Sequence, residues 1–203
     1  ADGNAEGPVA APVAEEIARY IAEEKLERPA VIGHSMGGTM AMMLAARHPG
    51  SVSKIMVVDQ IPFMGVMFGP PGTTAESVKP AAAAILAHSE PSTREQSDKR
   101  IAEMSAGMVR NEAHRQRVIA EGRASDRAVS RNAFHELIVT DLGPELAKID
   151  VPATVLYVTP AGVPFTDAQL AHLRSLKSLE RLNLEATEVS DAGAVREMVL
   201  VDA

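Results

Sequence analysis

The chain has 203 residues, a net charge of −7 and no cysteine, which suits one domain of ordinary size. Its arginines are interleaved with acidic residues, so we predict no nucleic-acid partner, and the lack of cysteine excludes disulfides and thiolate metal sites. No apolar run reaches the roughly 18 residues that a membrane-spanning helix needs, so we also predict no membrane span.

The first third of the chain has the pattern of a helix followed by a strand, a helix and a strand. Apolar residues recur at helical spacing over residues 13–21, which predicts an amphipathic helix. The apolar run in RPAVIG predicts a short strand, residues 37–48 predict a helix that HPG ends, and SKIMVVD predicts a second strand. Strand, helix and strand with tight turns indicate a parallel crossover unit.

Residues 60–148 predict an inserted helical segment without a strand. A loop rich in Pro and Gly opens it, and Thr73 with Glu76, and Ser92 with Glu95, have the spacing of capping boxes at two helix starts. Further along, ATVLYV and SLERLNL are runs of strand length that predict a third and a fourth strand. The helical segment therefore interrupts a series of strands.

The end of the chain contains a possible repeat. FTDAQLAHL and VSDAGAV begin 24 residues apart, at Phe165 and Val189, and the sequence between them has the spacing L-x-x-L-x-L-x-x-T-x-V. This resembles a bacterial leucine-rich repeat, although the same leucines equally suit a last strand and flanking helices. One repeat cannot bury its own apolar face. We therefore expect residues 161–203 to pack on the same sheet as residues 1–160.

The sequence GHSMGG contains the pattern G-x-S-x-G between a predicted strand and a predicted helix. At such a turn the serine is strained and its hydroxyl is exposed, and the glycines let the strand and helix approach closely. Ser35 is therefore a candidate nucleophile, the alternative being a tight turn with an ordinary serine. The other residues of this turn are Gly33, His34, Met36, Gly37 and Gly38.

The stretch PAVIGHSMGGTMAMMLAARHPGSVSKIMVVD resembles the nucleophile-elbow region of the α/β-hydrolase family, close to its esterase and lactonase-like members. The resemblance implies an α/β fold with a partial parallel sheet of about four strands and an inserted helical lid at residues 60–148. It implies that Ser35 attacks an acyl carbon of a small ester or acyl substrate, with the Met36 N–H as an oxyanion donor. The six histidines show no ligand pair at helical or strand spacing with nearby carboxylates, so we predict no metal, and we predict no cofactor.

The resemblance leaves the acid and the base less well defined. It implies an acid in the loop after ATVLYV, which makes Asp167 the best candidate, whereas Asp59 suits members with the acid one strand earlier. Thr166 and Gln169 have capping-box spacing, so Asp167 can instead lie in the first turn of a helix. No histidine follows SLERLNL, where the family places its base. His172 is the remaining candidate for that role.

The resemblance also implies that the chain starts in the middle of the fold, because only about a dozen residues precede the first helix. The first four strands of the family would then be missing, and the RPAVIG strand would be an exposed apolar edge. Such an edge invites pairing with another chain. We therefore expect a homo-oligomer formed through the edge near Ala30–Gly33.

These patterns predict a serine hydrolase of carboxylic esters or related acyl compounds, with weak activity because the base and half of the fold are lacking. The alternative is a non-catalytic interaction module that uses the segment resembling a leucine-rich repeat. The sequence does not indicate a compartment. A predicted acyl pocket, which can equally be ordinary core packing, contains Phe63, Met64, Met67 and Phe68.

Overall fold

The computed structural model describes residues 7–89, 93–156, 176 and 179–183. The predictions for Asp167 and His172 lie outside these residues, as does most of the predicted repeat between Phe165 and Val189. The described helices are α1 (Ala10–Glu23), α2 (Met36–Arg47), α3 (Lys79–Ser89), α4 (Arg94–Met108), α5 (Glu112–Ala124) and α6 (Arg127–Val139), with two 3₁₀ helices, η1 (Met64–Phe68) and η2 (Gly143–Lys148). The strands are β1 (Ala30–His34), β2 (Lys54–Val58), β3 (Ala153–Leu156) and β4 (Leu179–Asn183).

The four strands form one parallel sheet in the order β1-β2-β3-β4. Parallel neighbours need crossover connections, which α2 supplies between β1 and β2. The α/β fold with a partial parallel sheet is therefore confirmed. β1 lies at one edge of the sheet, and its Ile32 is 71% exposed. The pairing of β4 with β3 has a register shift at Ala153/Thr154, and the likeness of the surrounding segment to a leucine-rich repeat stays a prediction.

Helix α2 lies at the centre of the core. Its residues from Ala41 to Ala46 are all buried, against α1 and against the strands β1 and β2. A helix that is apolar on every side must be buried on every side, which is why MAMMLAA forms the middle of the fold. Alternate residues of β2 and β3, such as Ile55, Val57 and Val155, are buried in the same cluster. This packing fixes the turn between β1 and α2.

The segment between β2 and β3 is helical, as its sequence predicts. We call residues 60–148 the helical insertion. It has its own apolar cluster, in which Phe63, Val78, Ala82 and Ile138 are buried. In the described part of the chain, α4 and α5 pack chiefly on each other and form a two-helix hairpin. That the insertion acts as a lid stays a prediction.

The two predicted helix caps are wrong. α4 begins after Thr93, whose side chain accepts a hydrogen bond from Gln96 N while Gln96 Oε1 accepts one from Thr93 N, each at 3.2 Å. Ser-x-x-Glu and Thr-x-x-Gln both fit a capping box, so only the position of the first helical turn decides between them. α3 begins at Lys79, and Thr73 instead donates to the Pro70 carbonyl oxygen within a turn.

Two carboxylates join the insertion to the helices beside the sheet. The buried Glu136 of α6 accepts hydrogen bonds from the amides of Val9, Ala10 and Ala11, at 2.5, 2.7 and 3.2 Å. These amides open α1 and have no acceptor within the helix, and a carboxylate also stabilises the positive end of the helix dipole. Glu136 therefore takes the place of a local N-cap, since Val9 supplies none.

The second carboxylate belongs to Glu145 of η2, which forms a bidentate pair with Arg47 at the end of α2. The Nε–Oε2 distance is 2.9 Å and the Nη2–Oε1 distance is 2.7 Å. The hydrogen bond from Arg47, together with its charge, lowers the pKa of Glu145 against the opposing effect of burial, and the pKa of Arg47 is raised for the same reason.

No helix in the described ranges is long and apolar enough to cross a membrane.

Candidate active site

Ser35 lies at the turn between β1 and α2 in a strained backbone conformation. Its φ of 50° and ψ of −120° are unusual for a residue with a Cβ atom. Ser35 N donates to the Val58 carbonyl oxygen at 2.9 Å, and Gly38 N donates to the Ser35 carbonyl oxygen at 2.8 Å. The half-buried side chain makes no capping hydrogen bond to α2. The hydroxyl is therefore not committed to the helix that it precedes.

The glycines around Ser35 have different roles. A Cβ atom on Gly33 would lie 2.1 Å from the Gly37 carbonyl oxygen, and one on Gly38 would lie 3.0 Å from Val57 Cγ1. A Cβ atom on Gly37 would meet nothing within 4 Å. Gly33 is therefore required by the contact of strand and helix, Gly38 fits tightly against β2, and Gly37 is not required by space.

The backbone amide of Met36 is suited to an oxyanion. Met36 is the first residue of α2, so its N–H has no acceptor inside the helix and lies at the positive end of the helix dipole. Amides in this position bind anions and stabilise the negative oxygen of a tetrahedral intermediate. The position of Met36 directly after Ser35 places this donor beside the candidate nucleophile.

A buried polar contact next to the turn was not predicted from the sequence. Gln60 Nε2 donates to Thr39 Oγ1 at 3.1 Å, and Ile61 N donates to Gln60 Oε1 at 2.9 Å. Gln60 and Thr39 are each 5% exposed, and Gly38 faces Gln60 Cβ. The contact joins the loop after β2 to the first turn of α2. The one signal in the sequence is a polar residue at the start of an apolar loop.

Asp59 is the alternative acid, and it lies near the turn. It follows β2 with a φ of 52°, in the left-handed region, and its amide donates to the Leu156 carbonyl oxygen at 2.7 Å. Because Ser35 N bonds to Val58, two strained residues stand at the carboxyl ends of neighbouring strands. Strain of this kind concentrates at functional sites. The role of Asp59, like those of Asp167 and His172, stays a prediction.

None of the four histidines with described side chains, His34, His48, His114 and His135, hydrogen-bonds to Ser35. His34 is exposed at the end of β1. His48 lies at the other end of the 12-residue helix α2, about 18 Å along its axis, where its Nε2 is 3.0 Å from Glu15 Oε2. His114 and His135 belong to α5 and α6 of the insertion. The described residues therefore do not complete a triad.

The predicted pocket residues have unequal exposure. Phe63 is 1% exposed and packs in the apolar cluster of the insertion, against which Phe68 also packs. Met64 is half-buried and Met67 is 40% exposed. Phe63 thus contributes core packing in this structure, and the acyl pocket stays a prediction. Among the described side chains, no group of three or more His, Asp or Glu residues could hold a metal ion.

The chain is similar to known proteins. Residues 9–120 match the family described as alpha/beta hydrolase fold. An abhydrolase domain-containing protein of Schizosaccharomyces pombe is 40% identical over 45 residues, which is 22% of this chain and 17% of that protein.

Two solved structures share the fold. A hydrolase from Pseudomonas aeruginosa PA01 has a TM-score of 0.58 at 20% identity, over 97% of this chain and 65% of that one. The enol-lactonase from Burkholderia xenovorans LB400 has a TM-score of 0.53 at 20% identity, over 96% of this chain and 65% of that one. The chain thus spans less than two thirds of these relatives. Because the family match covers more than half of its residues, the chain belongs to the α/β-hydrolase fold family.

Proposed function

We propose that the chain is a serine hydrolase that acts on carboxylic esters or related acyl compounds, with Ser35 as the nucleophile. The observation that carries the proposal is the backbone of Ser35, with φ 50° and ψ −120° between a parallel strand and a helix. This strained turn is the one that presents a nucleophilic hydroxyl in hydrolases with the G-x-S-x-G pattern. The similar fold of a hydrolase and of an enol-lactonase supports acyl chemistry.

In the proposed reaction, Ser35 Oγ forms a bond to the acyl carbon and its proton passes to a base. The Met36 N–H stabilises the oxyanion of the tetrahedral intermediate. When the intermediate collapses, the bond to the leaving oxygen breaks, and the base gives its proton to that oxygen. Water then releases the acyl group by the same steps. We propose His172 as the base and Asp167 as the acid that orients it, with Asp59 as the alternative acid.

The test is labelling of the folded protein by a fluorophosphonate, which reacts with activated serines. We expect label on the peptide that contains Ser35, found by mass spectrometry, and no label in Ser35→Ala. Ser53→Ala removes a half-buried serine before β2 and should label as the unaltered chain does. A sample that is folded by circular dichroism but takes no label would contradict the proposal and favour the non-catalytic alternative.

Three further variants test the proposed base and acid. His172→Ala should lower the labelling rate by at least tenfold, because an unassisted hydroxyl is a weak nucleophile. Asp167→Asn and Asp59→Asn distinguish the two acids, since only the orienting carboxylate should lower the rate markedly. Unchanged labelling in His172→Ala would reject His172 as the base while leaving Ser35 as the nucleophile.

A further inference from the structure

The first turn of α2 carries the two groups that the proposed reaction uses. Ser35 directly precedes the helix and Met36 is its first residue. The Ser35 carbonyl oxygen accepts hydrogen bonds from Gly38 N at 2.8 Å and from Thr39 N at 3.3 Å. Because helix ends fray and have fewer internal hydrogen bonds than the middle, the positions of the Ser35 hydroxyl and the Met36 N–H depend on how firmly this turn is held.

Gln60, which follows β2 and Asp59, holds this turn from the side of the sheet. Gln60 Nε2 donates to Thr39 Oγ1 at 3.1 Å, and a Cβ atom on Gly38 would lie 3.1 Å from Gln60 Cβ. Gln60 thus contacts two consecutive residues of the turn, one by a hydrogen bond and one by close packing. Gln60 and Thr39 are each 5% exposed, and a hydrogen bond shielded from water is costly to leave unmade.

The side chain of Gln60 is itself fixed in its orientation. Ile61 N donates to Gln60 Oε1 at 2.9 Å, and since a backbone N–H can only donate, Nε2 is the amide atom that faces Thr39. The chain on either side is anchored, because Asp59 N donates to the Leu156 carbonyl oxygen at 2.7 Å and Ile61 is buried in the main apolar cluster. The contact therefore ties the first turn of α2 to a rigid part of the sheet.

Burial and chemistry together exclude a direct part for this pair in the reaction. At 5% exposure, neither Gln60 nor Thr39 offers an accessible surface to a substrate. An amide and an aliphatic hydroxyl also do not titrate near neutral pH, so neither group can serve as the base or the acid. Any effect of the pair on the reaction must pass through the turn that contains Ser35.

We propose that Gln60 and Thr39 are positioning residues for the reaction of Ser35. Their hydrogen bond keeps the first turn of α2 closed while the acyl carbon becomes tetrahedral, so that Ser35 Oγ and the Met36 N–H keep their spacing. An oxyanion donor is effective because it is fixed before the reaction, and a misplacement of about 1 Å can cost about a hundredfold in rate. The inference rests on the proposed function, since it requires Ser35 to be the nucleophile.

The experiment measures fluorophosphonate labelling of the folded chain over a range of reagent concentrations, which separates the limiting rate kinact from the half-saturating concentration KI. Thr39→Val keeps the shape of the side chain but removes the hydroxyl. We expect kinact to fall about ten- to a hundredfold, with KI unchanged because the side chain does not touch the reagent. Gln60→Met, which removes the donor, should give the same result. A change in KI alone would overturn the proposal.

Thr39→Ser distinguishes positioning from packing, because it keeps the hydroxyl and loses the methyl group. It should restore most of the rate that Thr39→Val loses. Thr39→Val combined with Gln60→Met should label no more slowly than either single variant, since both remove the same hydrogen bond. Losses that multiply in the double variant, or a rate in Thr39→Ser as low as in Thr39→Val, would show that the hydrogen bond is not what matters.

Ser105→Ala is the matched control for a general loss of stability. Ser105 is 4% exposed in α4, and its Oγ donates to the Ile101 carbonyl oxygen at 2.7 Å, so this variant also removes a buried hydroxyl. It should leave kinact unchanged, and an equal loss there would overturn the proposal. A folded chain that takes no label would reject the proposed function and this inference together, whereas a labelled chain whose Thr39→Val and Gln60→Met variants keep the full rate would reject this inference alone.

Discussion

The backbone amide of Ser35 donates a hydrogen bond of 2.9 Å to the carbonyl oxygen of Val58. This bond continues the pairing of β1 with β2 by one residue beyond the last pair, His34 with Val58. Ser35 is thus held by the sheet on one side and by α2 on the other. Its strained conformation persists because both neighbours determine it.

The strain at Ser35 predicts that function and stability oppose each other there. A residue in such a conformation costs about 1–3 kcal/mol, which glycine avoids because it lacks a Cβ atom. We expect Ser35→Gly to be more stable than Ser35→Ala by about 1 kcal/mol, although both variants lack the hydroxyl. Urea unfolding of the two proteins measures the difference. Equal stabilities would show that the turn stores no strain.

Alanine substitutions at Gly33 and Gly37 test the packing of the turn, with Gly37→Ala as the control. Gly33→Ala would put a Cβ atom 2.1 Å from a backbone oxygen, so we expect a loss of about 3 kcal/mol or more in the free energy of unfolding. Gly37→Ala meets open space and lies in a helix, so its stability should change by less than about 1 kcal/mol, in the stabilising direction. Similar losses in both variants would contradict the observed turn.

The contact of Glu136 with the start of α1 predicts a strong and local effect. Glu136→Ala removes the acceptor of three amides, and we expect a loss of about 2–3 kcal/mol. Glu121→Ala, which breaks only the exposed pair with Arg117, should cost below about 0.5 kcal/mol. Hydrogen exchange of the Ala10 and Ala11 amides should accelerate in the first variant alone. Unchanged protection there would mean that Glu136 does not cap α1.

The pair of Arg47 and Glu145 predicts a pH-dependent contribution to stability. The pKa of Glu145 is lowered in the folded chain, so the contribution is present above the unfolded pKa of about 4.3 and is lost as the pH falls through the folded value. At pH 7 we expect Glu145→Gln to lose about 1–2 kcal/mol. Once the pH has fallen below the folded pKa, the variant and the unaltered chain should converge.

Urea unfolding at several pH values measures this convergence. Glu103→Gln is the control, because its pair with Lys99 is exposed, at 3.8 Å, and should contribute little at any pH. A loss in Glu145→Gln that does not decrease as the pH is lowered from 7 into the acid range would exclude an ionic origin.

The exposed edge of the sheet predicts self-association through β1. We propose that a second copy of the chain pairs with this edge, where Ile32 is 71% exposed. A lysine on an edge strand opposes such pairing, so Ile32→Lys should shift sedimentation from a larger species to the monomer. Leu26→Lys changes an exposed apolar residue outside the sheet, 44% exposed, and should not. A monomeric unaltered chain at the highest concentration would reject the proposal.

Much of the fold and the centre of the site follow from short-range patterns in the sequence. The four strands and the helix α2 were predicted because apolar periodicity and Pro or Gly punctuation act within a few residues. Ser35 was recognised for the same reason, since its pattern combines a local turn with the elements on either side. The sequence equally indicated the helical nature of residues 60–148, through their periodicity and the absence of strand-like runs.

Only the tertiary structure decided the contacts between residues that lie far apart in the chain. The hydrogen bond from Ala10 to Glu136 joins residues 126 positions apart, and no local pattern encodes it. The burial of Phe63, the contact of Thr39 with Gln60 and the choice of Thr93 as the α4 cap depend on how finished elements pack. Local pattern sets the type of each element because apolar periodicity and turn residues act within a few positions, whereas packing selects the partners of each side chain.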